Sequence, residues 1–346
     1  MTAAGSNGAP RVGEAGTRMR MTGLTAACAA VLALACLASL LLGAGSVDAG
    51  PALAGLLGHG SEEARFVVFE LRAPRTVIAL VVGAALGVAG ALLQAVTRNP
   101  LAEPGLLGVS AGSAFAVAVA LTLGASAATL RSTVAQLGAL GGCLCAIGAG
   151  RLRGVGDDPV RLVLAGAALS SLLAALTSML LLVDQRTADE IRFWVVGSVA
   201  GRRLSDLSGI LPSLAAAALI TLAIARPLAA LALGDRVAAG LGHRPGTVRL
   251  LAVIAVALLV GAATAVAGPI AFVGLVVPFA ARALAGPDIR RTLWLSVPLG
   301  ALVVVAADVV SRLVVQPSEL PIGVLTALLG APVLIAVVRA RRLPTL

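Results

Sequence analysis

The chain contains no lysine: all 26 of its basic residues are arginine. A phosphate-binding loop of the GxxxxGK[ST] type needs its lysine to reach the nucleotide phosphates, so no ordinary ATPase site of that kind can form here. Schiff-base lysine chemistry is excluded on the same ground. Charge of both signs is scarce, at 12% of 346 residues, where a soluble domain carries about a quarter. Aromatic residues make up only 2%. No basic run with interleaved aromatics occurs, so a formal charge of +10 and a pI near 11.4 do not point to nucleic acid. The four cysteines, Cys28, Cys36, Cys143 and Cys145, all lie in apolar stretches without a CxxC pair or a disulfide framework. His59 and His243 have no partners at metal-ligand spacing, and HExxH is absent. Neither a bound metal nor catalysis by this chain is expected; any ATP driving it is hydrolysed on another polypeptide.

What is present is apolar. Hydrophobic residues make up 59% of the chain and mean hydropathy is +1.03. A spanning helix takes about 20 apolar residues, so this content supplies about ten. The expected fold is all-α: a polytopic membrane protein with spans near 24–43, 76–97, 106–124, 132–150, 160–183, 206–226, 248–267, 270–285, 292–314 and 320–339. Residues 1–22 are polar and Gly-rich and read as a disordered cytoplasmic extension; residues 23–346 read as one transmembrane domain. The first apolar run is longer than the core of a signal peptide and reads as an uncleaved span. With the N-terminus inside, 17 of the 26 arginines fall on the inner side, which favours both termini in the cytoplasm. Pro100-Leu101-Ala102 with Gly105-Leu106 recurs at identical spacing as Pro269-Ile270-Ala271 with Gly274-Leu275. In this topology the first copy lies at the cytoplasmic face and the second at the outer face, an inverted repeat of the kind on which transporters rock.

Four segments stand apart from plain spans. LRAPR places Arg72 and Arg75 at the mouth of the second span. Two guanidiniums there suit either headgroup anchoring or the carboxylates of an external partner. Asp308 and Arg312, four apart, read as a same-face pair that makes the carboxylate tolerable in a membrane. The turn Arg98-Asn99-Pro100-Leu101-Ala102-Glu103-Pro104 stops one helix and re-aims the next. Residues 226–242, containing LALGDRVAAGLG, are too polar to span and too helical for a simple turn. Asp235 suits the start of a short helix, and Gly242 and Pro245 its end. Such a helix either lies on lipid or inserts into a partner's groove. Finally, ELPIGVLTALLGAP at 319–332 reads as a Gly/Pro-bent helix, with Gly323 and Gly330, like Gly83 and Gly87, permitting close packing.

Residues 71–112, the LALGDRVAAGLG segment and the closing ELPIGVLTALLGAP segment together resemble the FecCD-type permease family of type II bacterial ABC importers for iron–siderophore complexes, heme and cobalamin. The resemblance runs from about residue 24 to about residue 342. It implies a ten-helix permease in the bacterial cytoplasmic membrane, paired with a second permease subunit, commonly an identical copy. It further implies two ATP-binding subunits carrying Mg-ATP and an extracytoplasmic substrate-binding protein. By resemblance, Arg72, Arg75 and Arg312 dock glutamates of the binding protein. Gly234, Asp235, Arg236, Ala238, Ala239, Leu241 and Gly242 form the helix that couples to the ATPase. Asn99 and Leu101 form a cytoplasmic gate, with Pro159 and Val160 in the companion segment, which here reads Asp157-Asp158-Pro159-Val160-Arg161 in place of the usual small polar residues. The implied function is ATP-driven import of a metal chelate, first an iron(III)–siderophore, with heme and cobalamin open. An ion-coupled secondary transporter is the alternative from another class; it would place ionisable residues at mid-membrane, where these spans carry few.

Overall fold

In the computed structural model, which describes residues 12–45, 47–125, 127–151, 159–185, 188, 191, 194–315 and 318–339, every regular element is helical. Alanine- and leucine-rich sequence has high intrinsic helix propensity, and a lipid-exposed backbone must satisfy its hydrogen bonds within the segment. The helices are α1 (Val12–Leu41), α2 (Ala49–Leu56), α3 (Glu62–Phe66), α4 (Ala73–Thr97), α5 (Val109–Thr122), α6 (Ala127–Arg151), α7 (Pro159–Val183), α8 (Leu211–Ala232), α9 (Asp235–Gly240), α10 (Pro245–Ala267), α11 (Val273–Ala285), α12 (Ile289–Leu313) and α13 (Ile322–Arg339). A π-helical turn, Val67–Arg72, joins α3 to α4 so that residues 62–97 run as one helix.

Seven of these helices are long and apolar enough to cross a membrane, and three shorter apolar ones, in α5, α11 and α13, complete the expected ten. The short ones are informative. At 1.5 Å per residue, the 14 residues of α5 and the 13 of α11 reach about 20 Å, less than a hydrocarbon core of about 30 Å. Each is preceded by an irregular segment rather than by a full span.

α4 and α10 form the centre: 72% and 78% of their apolar windows are buried, against 11% for α1 and α7 at the periphery. α4 packs against α10, α11 and α12. A stripe of small residues makes this possible. A Cβ on Gly83 would collide with the carbonyl of Gly300, on Gly87 with that of Ser296, and on Gly90 with that of Gly274. α5 and α6 meet the same way, Gly112 against Gly138 and Gly108 against Gly142. Gly323 abuts the Val196 carbonyl and Gly330 the Phe272 side chain. The packing role expected of Gly83, Gly87, Gly323 and Gly330 is therefore seen at each.

Two expected boundaries are corrected. α1 begins at Val12, inside the segment read as a disordered extension to residue 22, because once a helix is nucleated each added residue gains a hydrogen bond at little cost; residues 1–11 lie outside the described residues. α8 runs to Ala232, so residues 226–232 belong to the span and not to a loop; Pro227 sits inside that helix. The two copies of the internal repeat meet inside the bundle, where the Phe272 N–H donates to Glu103 Oε1 at 2.8 Å.

Candidate functional site

One end of the bundle gathers Arg72, Arg75 and Arg312, as the sequence suggested, but turns all three guanidiniums inward. The residues are only 5%, 9% and 2% exposed. Their partners begin with the C-terminus of α1, whose last carbonyls have no intrahelical donors. Arg72 Nη1 donates to the carbonyls of Leu41 at 2.7 Å and Leu40 at 3.1 Å, and Nη2 to Val47 at 2.8 Å. Arg312 Nη1 donates to the carbonyls of Ser39 and Leu42 at 3.0 and 2.9 Å, and Nη2 to Ser39 Oγ at 2.7 Å. Two cations at a helix C-terminus also complement its dipole. Fully buried Asp308 lies between Arg75, at 2.7 Å, and Arg312, at 3.0 Å. Arg75 is completed by Glu319 at 2.7 Å. The Asp308–Arg312 pair expected from i,i+4 spacing is present; Arg75 and Glu319 enlarge it to a four-membered network.

α4 carries the chain from this end to the other, about 37 Å for its 25 residues. There Arg98 stops the helix in a left-handed conformation (φ 49°) and Asn99-Pro100 redirects it. The Asn99 carboxamide accepts the Leu101 N–H at 2.9 Å, and the Asn99 carbonyl accepts the Ala102 N–H at 3.1 Å. Asn99 therefore shapes the turn, while Leu101 is exposed. Arg98 Nη2 donates to the Leu231 carbonyl and to Asp235 Oδ1, both at 2.6 Å. Arg249 of α10 holds both Asp235 oxygens at 2.9 Å.

Asp235 opens α9, as expected, with Gly234 before it at φ 126° and Gly242 after it at φ 81°. Pro245 then sits in the first turn of α10. Within the segment Ala238 is buried against the core, whereas Arg236, Ala239, Leu241 and Gly242 are exposed. Leu233, Val237 and Leu241 stand 75%, 44% and 63% exposed, an apolar surface left open by the described residues. Sequence reasoning passed over Leu233 and Val237; their spacing, four residues apart with Leu241, was the available signal. Pro159 begins α7, and neither its side chain nor that of Val160 belongs to the described residues. Asp157 and Asp158 also lie outside them.

Between the two ends, Glu103, Pro104 and Gly105 of the first repeat copy and Pro269, Ile270 and Gly274 of the second face one cavity of about 720 Å³. Its lining is apolar except for Glu103 and Ser110. Burial pushes the Glu103 carboxyl above its usual range, while the N–H of Phe272 pulls it the other way. A second cavity of about 760 Å³ shares Ser110, Val195 and Pro269 and extends along α7 to Thr177 and Gln185. Among the described residues no cluster of His, Cys, Asp or Glu could hold a metal ion. Gly108–Gly112 reads GxSxG, the spacing of a hydrolase nucleophile elbow. That motif needs a strand leading into a helix, and here a 3₁₀ turn, Pro104–Leu107, precedes Ser110.

Deeper in the bundle, Gln94 donates to the Leu275 carbonyl at 3.2 Å and to that of Ala102 at 3.4 Å. It accepts from buried Arg282 at 2.6 Å, whose guanidinium lies over the Phe279 ring. These residues escaped sequence reasoning because each looks like a lone polar residue in a span.

The family model of the FecCD transport family matches residues 31–340. The ferric enterobactin transport system permease protein FepD of Escherichia coli K12 is 41% identical over 312 residues, covering 90% of this chain and 93% of its own length. The probable siderophore transport system permease protein YfiZ of Bacillus subtilis 168 is 38% identical over 284 residues, 81% of this chain and 84% of its own. A solved structure described as an inward-facing metal-chelate type ABC transporter superposes with a TM-score of 0.78 at 29% identity, covering 93% of this chain and 99% of that one.

Proposed function

We propose that this chain, which belongs to the FecCD transport family, is the membrane permease of an ATP-driven importer for an iron(III)–siderophore. The observation that carries the coupling to ATP is α9. Leu233, Val237 and Leu241 stand exposed in and beside it, with none of the described residues over them, in a polypeptide that has no lysine for a phosphate loop. An amphipathic helix of this kind fits a groove on a partner, here the ATP-binding subunit. The importer then comprises two such ATPases, a second permease copy and an extracytoplasmic binding protein, with both termini of this chain in the cytoplasm. The Leu101 turn serves as the gate at the α9 end. ATP binding and hydrolysis shift the balance between inward- and outward-facing states through their differential affinity for the two. A cavity with an almost wholly apolar lining suits passage of a large chelate, because it offers no ligand set from which release would be slow.

The opposite end is the extracytoplasmic one. Arg72, Arg75 and Arg312 remain the docking candidates there, acting through the surface they hold together and through Glu319, the partly exposed partner of buried Arg75. Their other donors already serve the α1 terminus and Asp308. The secondary-transporter alternative finds less support, since Asp308 is neutralised by two arginines and the cavity carries a single carboxylate.

The test is uptake in proteoliposomes containing this chain with an ATPase and a binding protein from the same genome. Radiolabelled ferric enterobactin, heme and cobalamin are compared, with and without internal ATP. Accumulation of the ferric siderophore alone, only with ATP, is the expected result. Uptake driven by an ion gradient without any ATPase would sink the reading; preference for heme or cobalamin would replace the substrate.

A further inference from the structure

We infer that Asp235–Arg98 and Glu103–Phe272 are two joints through which a displacement of α9 reaches the cavity, and that the Arg98–Glu103 turn is the rigid lever between them. The inference rests on the reading of α9 as the ATPase-contacting helix and names the residues that would carry its motion.

The contacts form a continuous series. Asp235, the first residue of α9, takes Arg98 at 2.6 Å. Arg98 terminates α4 and is held also to the α8 carbonyl of Leu231. The turn that follows is braced internally by Asn99 bonding to the N–H groups of Leu101 and Ala102. Its far end is pinned twice, by Gln94 on the Ala102 carbonyl and by Glu103 on the N–H of Phe272. Phe272 immediately precedes α11, and the residues just before it, Pro269, Ile270 and Ala271, line the cavity.

Backbone strain marks the same places. Among the described residues only two non-glycine residues have positive φ, Arg98 at 49° and Phe272 at 67°. Such conformations persist only where the surroundings over-determine them, and they gather at switching segments. Here one lies at each joint. Stabilisation of the fold is a poor account of the first joint, because Arg98 and Asp235 are 38% and 45% exposed and exposed pairs contribute little. Position is the better account: the pair ties α9 to a turn that reaches the cavity. Arg249 grips both oxygens of Asp235 from α10, so the carboxylate is oriented rather than free to swing.

The experiment uses the complete complex, with the four native cysteines changed to alanine and a single Ile270→Cys reporter in the cavity wall. The readout is the maleimide labelling rate, compared between the nucleotide-free and ATP–vanadate-trapped complexes, with ATPase activity measured alongside. A several-fold change on trapping is expected in the reporter background. It should vanish in Asp235→Asn, Arg98→Gln and Glu103→Ala while the ATPase still co-purifies and hydrolyses ATP. The Asp235→Asn/Arg98→Gln double variant should be no worse than either single one. Glu103→Gln, which keeps an acceptor for Phe272, should restore the change. Arg291→Gln, which removes a surface pair with Asp288, should leave it intact. Persistence of the change in Asp235→Asn or Arg98→Gln overturns the lever. Loss of ATPase binding from both of these variants also overturns it, because the pair is then a docking or folding contact. Failure of any ATPase to assemble with the unaltered chain defeats the importer reading itself.

Discussion

At the scale of single residues, the arginines show how far a side-chain pattern can be read. Asp308 and Arg312 were legible because i,i+4 spacing puts them on one helix face. Arg75 was not, since its carboxylate lies 233 positions away on another helix. Arg72 was less so, because its acceptors are backbone carbonyls, which no residue type advertises. Their burial has a measurable consequence. Arg75→Ala leaves Asp308 with one cation and Glu319 with none, and removing one partner of a buried pair costs about 3–5 kcal/mol. The expected outcome is a marked loss of thermal stability in detergent, seen in an unfolding scan. Arg75→Met combined with Asp308→Leu should recover much of it, since no buried charge is then orphaned. A single variant as stable as the parent would show the network to be dispensable.

At the scale of elements, helix number and order could be read from apolar runs, and helix ends less well. Arg226-Pro227 looked like the close of a span, yet α8 continues six residues past Arg226 to Ala232 because its far end packs on the core through Leu228 and Leu231. The repeat was visible in sequence, and so was the shortness of the span at 270–285; its convergence with the first copy on one cavity was not, because α5 reads like a full span. The exposed face of α9 yields a prediction. Val237→Asp with Leu241→Asp should abolish co-purification of the ATPase while leaving expression and the unfolding temperature near those of the parent, since both side chains already face solvent. Undiminished co-purification would remove α9 from the interface. Gly90→Leu is expected to do the reverse, losing folded protein outright, because the new side chain must enter the space of the Gly274 backbone.

At the scale of the whole molecule, both cavities are lined from α5, and the second reaches peripheral α7, where Thr177 and Ser178 interrupt an apolar helix, with Gln185 just past its end. Polar groups on a helix that is only 11% buried in its apolar window suit the wall of a shared passage better than a lipid face. The detergent-solubilised complex is therefore expected to contain two permease chains, a mass that native mass spectrometry reads directly; a complex with one permease chain would contradict this. The glycine contacts carry a different consequence. Where backbone meets backbone without intervening side chains, no rotamer can change to absorb a shift, so α4, α11 and α12 are welded into one plate and α5 and α6 into another. Movement that opens or closes the passage must then be slippage along the seam between plates, which is where the empty space lies, and a variant that stiffens that seam should freeze transport without altering either plate.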